Sequence, residues 1–211
     1  MIAVIGAGGH GKVVAETLEV MNLGTDIVMF DDAYASKQKD ERWPLIGQIS
    51  DLRKYKSKLK FVVLAIGNND FRMKLYSDLA NDGYNLPTII HPASIVSRYA
   101  DVKAGTVILA GAVVNADAKI GTASIINTSS VVEHDCLIGD GCHLSPNSTI
   151  AGNCEIGSRS WVGMGAIIKQ GLKIGQNVTI GAGAAVVNNV PADQVVVGVP
   201  AVPLKSGNKI C

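Results

Sequence analysis

An aliphatic residue at every sixth position is the feature that most constrains the fold of this chain. From Val96 to Val186, all sixteen positions of this period are Val, Ile or Leu, without a change of phase. A period of six fits neither an α-helix nor a plain alternating strand. It predicts a short strand followed by a tight bend, and three such sides close a triangular coil of about 18 residues. About five stacked coils would then bury the aliphatic side chains in a parallel β-helix.

A second inward position lies two places before each aliphatic residue and is mostly small; Cys136, Cys142 and Cys154 occupy it. Because buried cysteine behaves as a small hydrophobic residue, we expect these three to be reduced and structural. The four cysteines of the chain form no CxxC pair, so the sequence shows neither a zinc cage nor a redox motif.

Composition excludes several broad classes of protein. Apolar residues make up 47% of the chain and charged residues 18%, which favours a folded domain over a disordered one. A net charge of +1 gives no electrostatic reason to expect nucleic acid or an anionic membrane as a partner. No apolar run approaches the roughly 20 residues of a membrane span. The opening Met1–Ile5 lacks the basic region of a signal peptide, so we expect a cytoplasmic protein.

The segment before the repeat alternates between strand-like and helical patterns, which predicts a small α/β unit with a parallel sheet. Strands are predicted at Met1–Ile5, Asp26–Phe30 and Phe61–Ile66, helices at Lys12–Asn22 and Phe71–Asn81, and a loop followed by a short helix at Asp40–Tyr55. The predicted organisation is a Rossmann-like domain at residues 1–86, a β-helix domain at 87–190 and a C-terminal tail at 191–211.

The turn after the first predicted strand is Gly6-Ala7-Gly8-Gly9-His10-Gly11-Lys12, which contains the pattern GxGxxG. Such glycines let backbone N–H groups approach a phosphate at a helix N-terminus. Asp31 and Asp32 end the second strand, where an acid could meet a ribose hydroxyl. The pattern leaves open an NAD site or a purely structural turn. Because the α/β unit ends near residue 86, without the second half of a dinucleotide fold, a nucleotide sugar fits it better.

Several motifs occur together along the chain: the glycine-rich turn, Ile66-Gly67-Asn68, His91-Pro92, the hexapeptide coils, and Val190-Pro191 with Gly198-Val199-Pro200-Ala201 near the end. In this combination the sequence resembles a bacterial family of left-handed β-helix acyltransferases. Its members include the N-acetyltransferases of the UDP-bacillosamine pathway, the GDP-perosamine N-acetyltransferases and the sialic-acid O-acetyltransferases. The resemblance covers essentially the whole chain and implies acetyl transfer from acetyl-CoA by a homotrimer.

The segment Glu133-His134-Asp135 departs from the small neutral residues that face outward elsewhere in the coils. The resemblance makes His134 the general base and Asp135 the carboxylate that orients it. This agrees with the chemistry, because a sugar ammonium must lose a proton before its nitrogen attacks a thioester, and histidine titrates near neutral pH. Direct transfer needs no nucleophile from the enzyme, which is consistent with inward-facing cysteines.

Coil arithmetic adds positions to this site. Gly152 is 18 residues after His134 and should lie one coil above it, where its N–H could donate to the oxyanion. Asn127 and His143 match substrate-site positions of the family, and their spacing of 16 residues places them on a shared edge. His143 is half a coil away from His134. They could therefore join His134 only across the boundary of a threefold trimer.

The resulting hypothesis is N-acetylation of UDP-linked 4-amino-4,6-dideoxy-N-acetylglucosamine. The predicted substrate-binding residues are Gly8, Gly9, His10, Gly11, Asp31, Asp32, Gly67, Asn68, Asn127 and His143. Acetyl-CoA is expected to contact Gly152 and to reach Gly181, Ala182 and Gly183, and no metal site is expected. Alternatives in the same class are O-acetylation of sialic acid and N-acetylation of GDP-perosamine. A non-catalytic nucleotide-binding scaffold trimer is the alternative from another class, and the intact Glu133-His134-Asp135 argues against it.

Overall fold

The computed structural model describes residues 1–23, 26–35 and 42–204 of the 211-residue chain. Cys211, the fourth cysteine, lies outside the described residues. The N-terminal part is the predicted α/β unit: β1 (Ile2–Ile5), α1 (Gly9–Val20), β2 (Ile27–Phe30), β3 (Leu45–Gly47), a 3₁₀ helix (Ile49–Lys58), β4 (Phe61–Leu64) and α2 (Asn69–Asn81). Its strands are all parallel, in the order β3-β2-β1-β4, which confirms the predicted sheet.

Several element ends in this unit differ by up to three residues from the sequence prediction, and two differences have a clear physical reason. Helix α1 begins at Gly9 rather than Lys12, because Gly11 packs directly on the preceding turn: a Cβ at Gly11 would lie 1.9 Å from the Gly6 carbonyl oxygen. Strand β3 replaces part of the predicted loop. It follows Pro44, whose carbonyl accepts from the Met29 N–H, and it pairs with the edge of β2. Its three residues are too few to show a strand pattern in sequence.

The second part of the chain is built from very short strands. Strands β5 to β21 have two residues each: Ile89–Ile90, Ile95–Val96, Asp101–Val102, Val107–Ile108, Val113–Val114, Lys119–Ile120, Ile125–Ile126, Val131–Val132, Leu137–Ile138, His143–Leu144, Thr149–Ile150, Glu155–Ile156, Trp161–Val162, Ile167–Ile168, Lys173–Ile174, Thr179–Ile180 and Ala185–Val186. Strands β22 (Val195–Val197) and β23 (Val202–Pro203) follow.

These strands stack into three parallel sheets, one for each side of the coil. Sheet I contains β6, β9, β12, β15, β18 and β21; sheet II contains β7, β10, β13, β16 and β19; sheet III contains β5, β8, β11, β14, β17, β20, β22 and β23. Wherever two of the strands β5 to β21 pair with each other, the paired residues are 18 positions apart, as Leu137 and Glu155 are. The predicted coil and its unbroken register are therefore confirmed.

The corner residues of the coils follow the same six-residue period. Three places after each inward aliphatic residue, the backbone is left-handed, with φ between 51° and 72° at Gly105, Gly111, Asp117, Ala123, Ser129, Asp135, Gly141, Asn147, Asn153, Arg159, Gly165, Gly171, Asn177 and Gly183. Gly, Asn and Asp, which adopt this conformation most readily, hold most of these positions. Asp135 thus occupies a corner that the fold itself requires.

The C-terminal tail is part of the β-helix. Strand β22 pairs in parallel with β20, and Val196 joins the buried core between the three sheets. Strand β23 then turns back antiparallel to β22. Coil stacking therefore continues beyond the predicted domain end at residue 190.

The two domains share a core and a buried cation. Ile89, Val107 and Leu109 of the first coils pack in one cluster with residues of β1 and α1. Arg72 of α2 is fully buried, and its guanidinium donates to the carbonyls of Ala123 and Gly141 at 2.8 Å each. The N-terminal domain is therefore fixed against the lower coils of sheet III.

Candidate active site

His134 and Asp135 occupy the corner that leads from sheet I to sheet II. His134 Nδ1 lies 2.7 Å from Asp135 Oδ2. This hydrogen bond raises the pKa of His134 above its ordinary value, because the carboxylate stabilises the imidazolium. Since Nδ1 carries the proton that faces the carboxylate, the neutral ring presents Nε2 as its basic nitrogen. The side chain is largely exposed at the surface of the single chain.

Gly152 lies directly above His134, as the coil arithmetic predicted. The Asn153 N–H donates to the His134 carbonyl at 2.9 Å. A Cβ at Gly152 would lie 2.7 Å from both Cε1 and Nε2 of His134, so the imidazole fills the space of a side chain at position 152. Among the described residues, no acceptor takes the Gly152 N–H. The absence of a side chain at position 152 thus makes room for the imidazole as well as exposing the N–H.

A cavity of about 380 Å³ opens beside this pair, lined by His134, Gly152, Asn153, Gln170 and Gly171. His134, with its basic nitrogen, and Gly152, with its free N–H, thus line the same space. A group bound there would meet one base and one hydrogen-bond donor, which are the two elements needed for acyl transfer.

Asn127 and His143 are in contact within one chain, which confirms that they share an edge. Asn127 Nδ2 lies 3.1 Å from His143 Nε2, while Asn127 Oδ1 accepts from the Thr128 N–H at 2.8 Å. The amide therefore donates to Nε2. Burial, the charge of Arg72 and the neighbouring His10 lower the pKa of His143 to about 3, so the ring is neutral. Its Nε2 is engaged by Asn127 within the chain.

The two predicted site histidines on the β-helix do not contact each other and have different neighbours. His143 projects from sheet III and contacts Asn127, whereas His134 lies beyond the far edge of sheet I. No hydrogen bond or ring contact joins them within the part of the chain that the structure describes. This is the separation that the nine-residue spacing predicts.

His10 lies at the junction of the two domains. Its ring centroid is 6.3 Å from that of His143, with the planes nearly parallel. Burial and then the charge of Arg72 lower its pKa to about 4, and its Nε2 has no hydrogen-bond partner among the described residues. His10 is thus a neutral buried ring that faces the β-helix, in contrast to its glycine neighbours.

The glycines of the glycine-rich turn lie in two different environments. Gly8 and Gly9 are exposed, and a Cβ at either would meet nothing within 4 Å. Gly11 is buried against the Gly6 carbonyl, so its lack of a side chain serves packing, although its N–H still belongs to the open first turn of α1. Gly8 and Gly9 thus leave open space beside the turn, whereas Gly11 does not.

A cavity of about 290 Å³ lies beside this turn, lined by Gly6, Gly8, Asp31, Asp32, Ile49, Ala65, Ile66 and Phe71. Asp31 accepts from the Ala7 N–H at 2.8 Å and so ties the end of β2 to the turn. Asp32 Oδ1 accepts from the Ile49 N–H at 3.1 Å. Both carboxylates border the cavity that the sequence assigned to a nucleoside, and each also holds backbone in place.

The segment between β4 and α2 links this cavity to the β-helix. Asn68 caps α2, because its side chain accepts from the Phe71 N–H at 2.9 Å. The Gly67 carbonyl accepts from Arg72 at 3.2 Å. Burial lowers the pKa of Arg72 to about 10, which leaves it charged at neutral pH. Sequence reasoning missed Arg72, although its place three residues before Leu75 puts a cation on the apolar face of α2.

The predicted acetyl-CoA contacts fall on two different edges of the coil. Gly181, Ala182 and Gly183 form the corner from sheet III to sheet I, whereas Gly152 lies on the corner from sheet I to sheet II. Ala182 and Gly183 are exposed, while Gly181 is buried against Val197. One chain therefore does not bring these residues together around a single ligand.

The three described cysteines are buried in the core, as predicted. Burial raises the pKa of Cys136 to about 11 and that of Cys142 to about 12, so both are protonated thiols. Within the described ranges, no three His, Cys, Asp or Glu side chains are grouped to hold a metal ion. No helix in the described part of the chain is long and apolar enough to cross a membrane.

Comparison with known proteins identifies both halves of the chain. Residues 1–79 match the PglD N-terminal domain, and residues 117–152 and 153–188 each match the bacterial transferase hexapeptide repeat. The acetyltransferase domain of PglB from Neisseria gonorrhoeae FA1090, solved in complex with acetyl coenzyme A, is 39% identical, with a TM-score of 0.92 over 96% of this chain and 98% of that one.

The names of two further relatives state a bound ligand or an activity. PerB from Caulobacter crescentus, in complex with CoA and GDP-perosamine, is 36% identical, with a TM-score of 0.90 over 96% of each chain. The UDP-N-acetylbacillosamine N-acetyltransferase of Bacillus subtilis (strain 168) is 36% identical over 112 residues, which are 52% of this chain and 51% of that protein. The chain therefore belongs to the left-handed β-helix acetyltransferases with a PglD-type N-terminal domain, a family of enzymes that use acetyl-CoA.

Proposed function

We propose that this enzyme transfers an acetyl group from acetyl-CoA to the amine of a nucleotide-linked amino sugar. The observation that carries the proposal is the arrangement of His134 Nε2 and the Gly152 N–H beside one cavity. The preferred substrate is UDP-linked 4-amino-4,6-dideoxy-N-acetylglucosamine, which the named activity of the Bacillus subtilis relative supports. GDP-perosamine, held by the PerB structure, is the second candidate.

His134 acts as the general base in this mechanism. Its neutral ring takes a proton from the sugar ammonium at Nε2, and the amine nitrogen then attacks the thioester carbon. Asp135 holds the proton on Nδ1 and stabilises the imidazolium that forms. As the tetrahedral intermediate collapses, the carbon–sulfur bond breaks and the CoA thiolate takes the proton from the imidazolium, while the acylated nitrogen releases its extra proton to solvent and becomes the neutral amide.

Gly152 stabilises the negative charge of the same intermediate. Its N–H has no other acceptor among the described residues and borders the space beside His134, so it can donate to the developing oxyanion. Because the base and the oxyanion donor come from stacked coils, the register of the β-helix fixes their relative positions.

The N-terminal domain holds the nucleotide. The first N–H groups of α1 and the exposed Gly8 and Gly9 bind the diphosphate, and the cavity beside Asp31 and Asp32 takes the nucleoside. A cavity of about 290 Å³ suits one nucleoside rather than a dinucleotide. Because residues 66 and 67 run from this cavity to the β-helix, the sugar points toward His143.

A homotrimer completes the active site. The outward residues of sheet I are apolar or small: Ile95, Val113, Val131, Thr149, Ile167 and Ala185. Those of sheet II are mostly charged: Asp101, Lys119, Leu137, Glu155 and Lys173. Sheet I is therefore the face that subunits bury around a threefold axis. The edges that bound it carry His134 on one side and Asn127 on the other, so His134 of one subunit meets Asn127 of the next.

Acetyl-CoA binds at the same boundary between neighbouring subunits. Gly152 of one subunit and Gly183 of the next lie on the two edges that meet there, which removes the separation found within one chain. His143 and Asn127 line the sugar side of this boundary, with His143 in a positioning role because its ring is neutral and its Nε2 accepts from Asn127.

The test is thiol release from acetyl-CoA with a panel of acceptors. UDP-linked 4-amino-4,6-dideoxy-N-acetylglucosamine, GDP-perosamine, sialic acid and the free amino sugar are compared for the wild type and for His134→Ala. We expect turnover with one nucleotide amino sugar and a loss of roughly 10²–10⁴-fold in kcat for the variant. Turnover of sialic acid alone would replace N-acetylation by O-acetylation. Nucleotide binding without thiol release from any acceptor would support a scaffold.

A further inference from the structure

An exposed tryptophan stands on the outward face of sheet III, where the N-terminal domain ends. Below it, Val107 and Ile125 are buried by that domain and His143 is partly covered. Trp161 is the next residue in this row and is 48% exposed. Because Trp161 also lines a cavity, its exposed aromatic surface is available to a ligand.

The indole of Trp161 is held in one orientation. Its Nε1 donates to the Ser145 hydroxyl at 2.7 Å, and its ring stacks on His143 with a centroid distance of 6.1 Å and an interplanar angle of 13°. Thr179 is its register partner in the coil above, and beside this small residue Trp161 remains 48% exposed. The ring therefore presents a flat apolar face that is ordered before any ligand binds.

The surroundings of this face are polar. A cavity of about 310 Å³ is lined by Gly67, Asn68, Asn69, Asp70, His143, Arg159, Trp161, Asn177 and Thr179. Amide, carboxylate and hydroxyl groups around one aromatic face suit a pyranose, whose C–H face packs on the ring while its hydroxyls take the hydrogen bonds. Arg159 is already paired with Asp70 at 3.2 Å, which limits the attraction of this cavity for a phosphate.

The position of the cavity connects it to the nucleotide. Ile66 lines the cavity beside the glycine-rich turn, and the adjacent Gly67 lines the cavity beside Trp161. A diphosphate at the start of α1 therefore leaves the sugar at the second cavity, one residue further along the chain.

We infer that Trp161 is the platform on which the acceptor sugar stacks, and that it determines the affinity for the sugar part of the substrate rather than for its nucleotide or for acetyl-CoA. This inference rests on the proposed function. Trp161 acts by holding the pyranose, so that the amine reaches His134 of the neighbouring subunit.

Kinetics of three variants test the role of the ring. Trp161→Ala should raise KM for the nucleotide amino sugar about tenfold, since aromatic stacking contributes on the order of 1 kcal/mol beyond area burial. Trp161→Phe keeps a flat face and should stay within about threefold of the wild type. KM for acetyl-CoA should not change in either. Leu137→Ala is the matched control, because Leu137 is an outward strand residue of similar exposure (44%) on sheet II.

Fluorescence titration separates the sugar from the nucleotide. The nucleotide amino sugar should change the emission of the wild type but not that of Trp161→Phe, in which Trp43 is the remaining tryptophan. The matching nucleoside diphosphate without a sugar should leave both nearly unchanged. An equal response to the diphosphate, or a raised KM for acetyl-CoA in Trp161→Ala, would overturn the inference.

The two proposals fail in different ways. A wild type that releases no thiol with any nucleotide amino sugar contradicts the proposed function. A wild type that turns over normally, beside a folded Trp161→Ala with unchanged KM values, contradicts only the role of Trp161.

Discussion

Gly152→Ala is the substitution for which the structure makes the sharpest prediction. The new Cβ would lie 2.7 Å from Cε1 and Nε2 of His134, whereas an ordinary contact needs at least about 3.4 Å. The imidazole must therefore move by at least about 0.7 Å, and because it is largely exposed it can do so without unfolding the corner. A displacement of this size at a reacting group costs on the order of 10²-fold in rate, or about 2.7 kcal/mol.

The backbone at position 152 is not what forbids a side chain. The same corner position is Ala116 two coils below and Gln170 one coil above, and His134 itself lies between. Thermal unfolding of Gly152→Ala should therefore match the wild type, while kcat falls about 10²-fold. Circular dichroism and thiol release measure the two effects on the same preparation.

A double variant distinguishes this explanation from a simpler one. In a His134→Ala background there is no imidazole to displace, so adding Gly152→Ala should cause little further loss. If the methyl group instead obstructs the thioester, it should cost the same factor in both backgrounds. Equal costs would refute the argument from the His134 contact and leave Gly152 with its role as oxyanion donor alone.

The remaining predictions concern the base, the oligomer and the domain junction. Asp135→Asn should move the acidic limb of the kcat/KM pH profile to lower pH, because the carboxylate raises the pKa of His134 and the active form is the deprotonated one; an unmoved limb would contradict the assignment of the base. Mixed trimers of inactive His134→Ala and inactive Asn127→Ala chains should regain part of the activity, and no recovery after verified subunit exchange would contradict the shared site. Arg72→Met should lower the stability by about 3 kcal/mol or more, since it leaves several buried carbonyls without a donor; an unchanged midpoint in thermal unfolding would show that water replaces the guanidinium.

The β-helix and the stacking of its site residues were predictable because both depend on one period. Every inward aliphatic residue indicates the same six-residue side of a coil. Sixteen agreeing positions therefore outweigh the ambiguity of assigning any one short segment to a helix or a strand. Once 18 residues make one coil, the placement of Gly152 over His134 and the contact of Asn127 with His143 follow by counting. Element ends in the α/β unit were less accurate, since pairing and packing decide them.

Arg72 and Trp161 show what the sequence does not encode in a readable way. The carbonyls that accept from Arg72 come from residues 66–67, 123 and 141–142, which only the docking of the two domains brings together. Trp161 occupies an ordinary outward strand position, and its ordered open face results from Ser145, His143 and Thr179 in neighbouring coils. Neither role follows from a motif, because each depends on contacts between distant segments.

The division of the site between subunits follows from the shape of the coil. A three-sided coil turns its corners outward, so two corners that bound one sheet face away from each other and cannot hold one ligand within a chain. His134 and Asn127 stand on the two corners that bound sheet I, and sheet I is the apolar face. In the proposed trimer, burial of that face around a threefold axis would bring unlike corners of neighbouring subunits together, so the contact that stabilises the trimer would also assemble the base and the acceptor site. Catalysis and assembly should therefore be lost together when a charge is placed on sheet I, even where each β-helix keeps its fold.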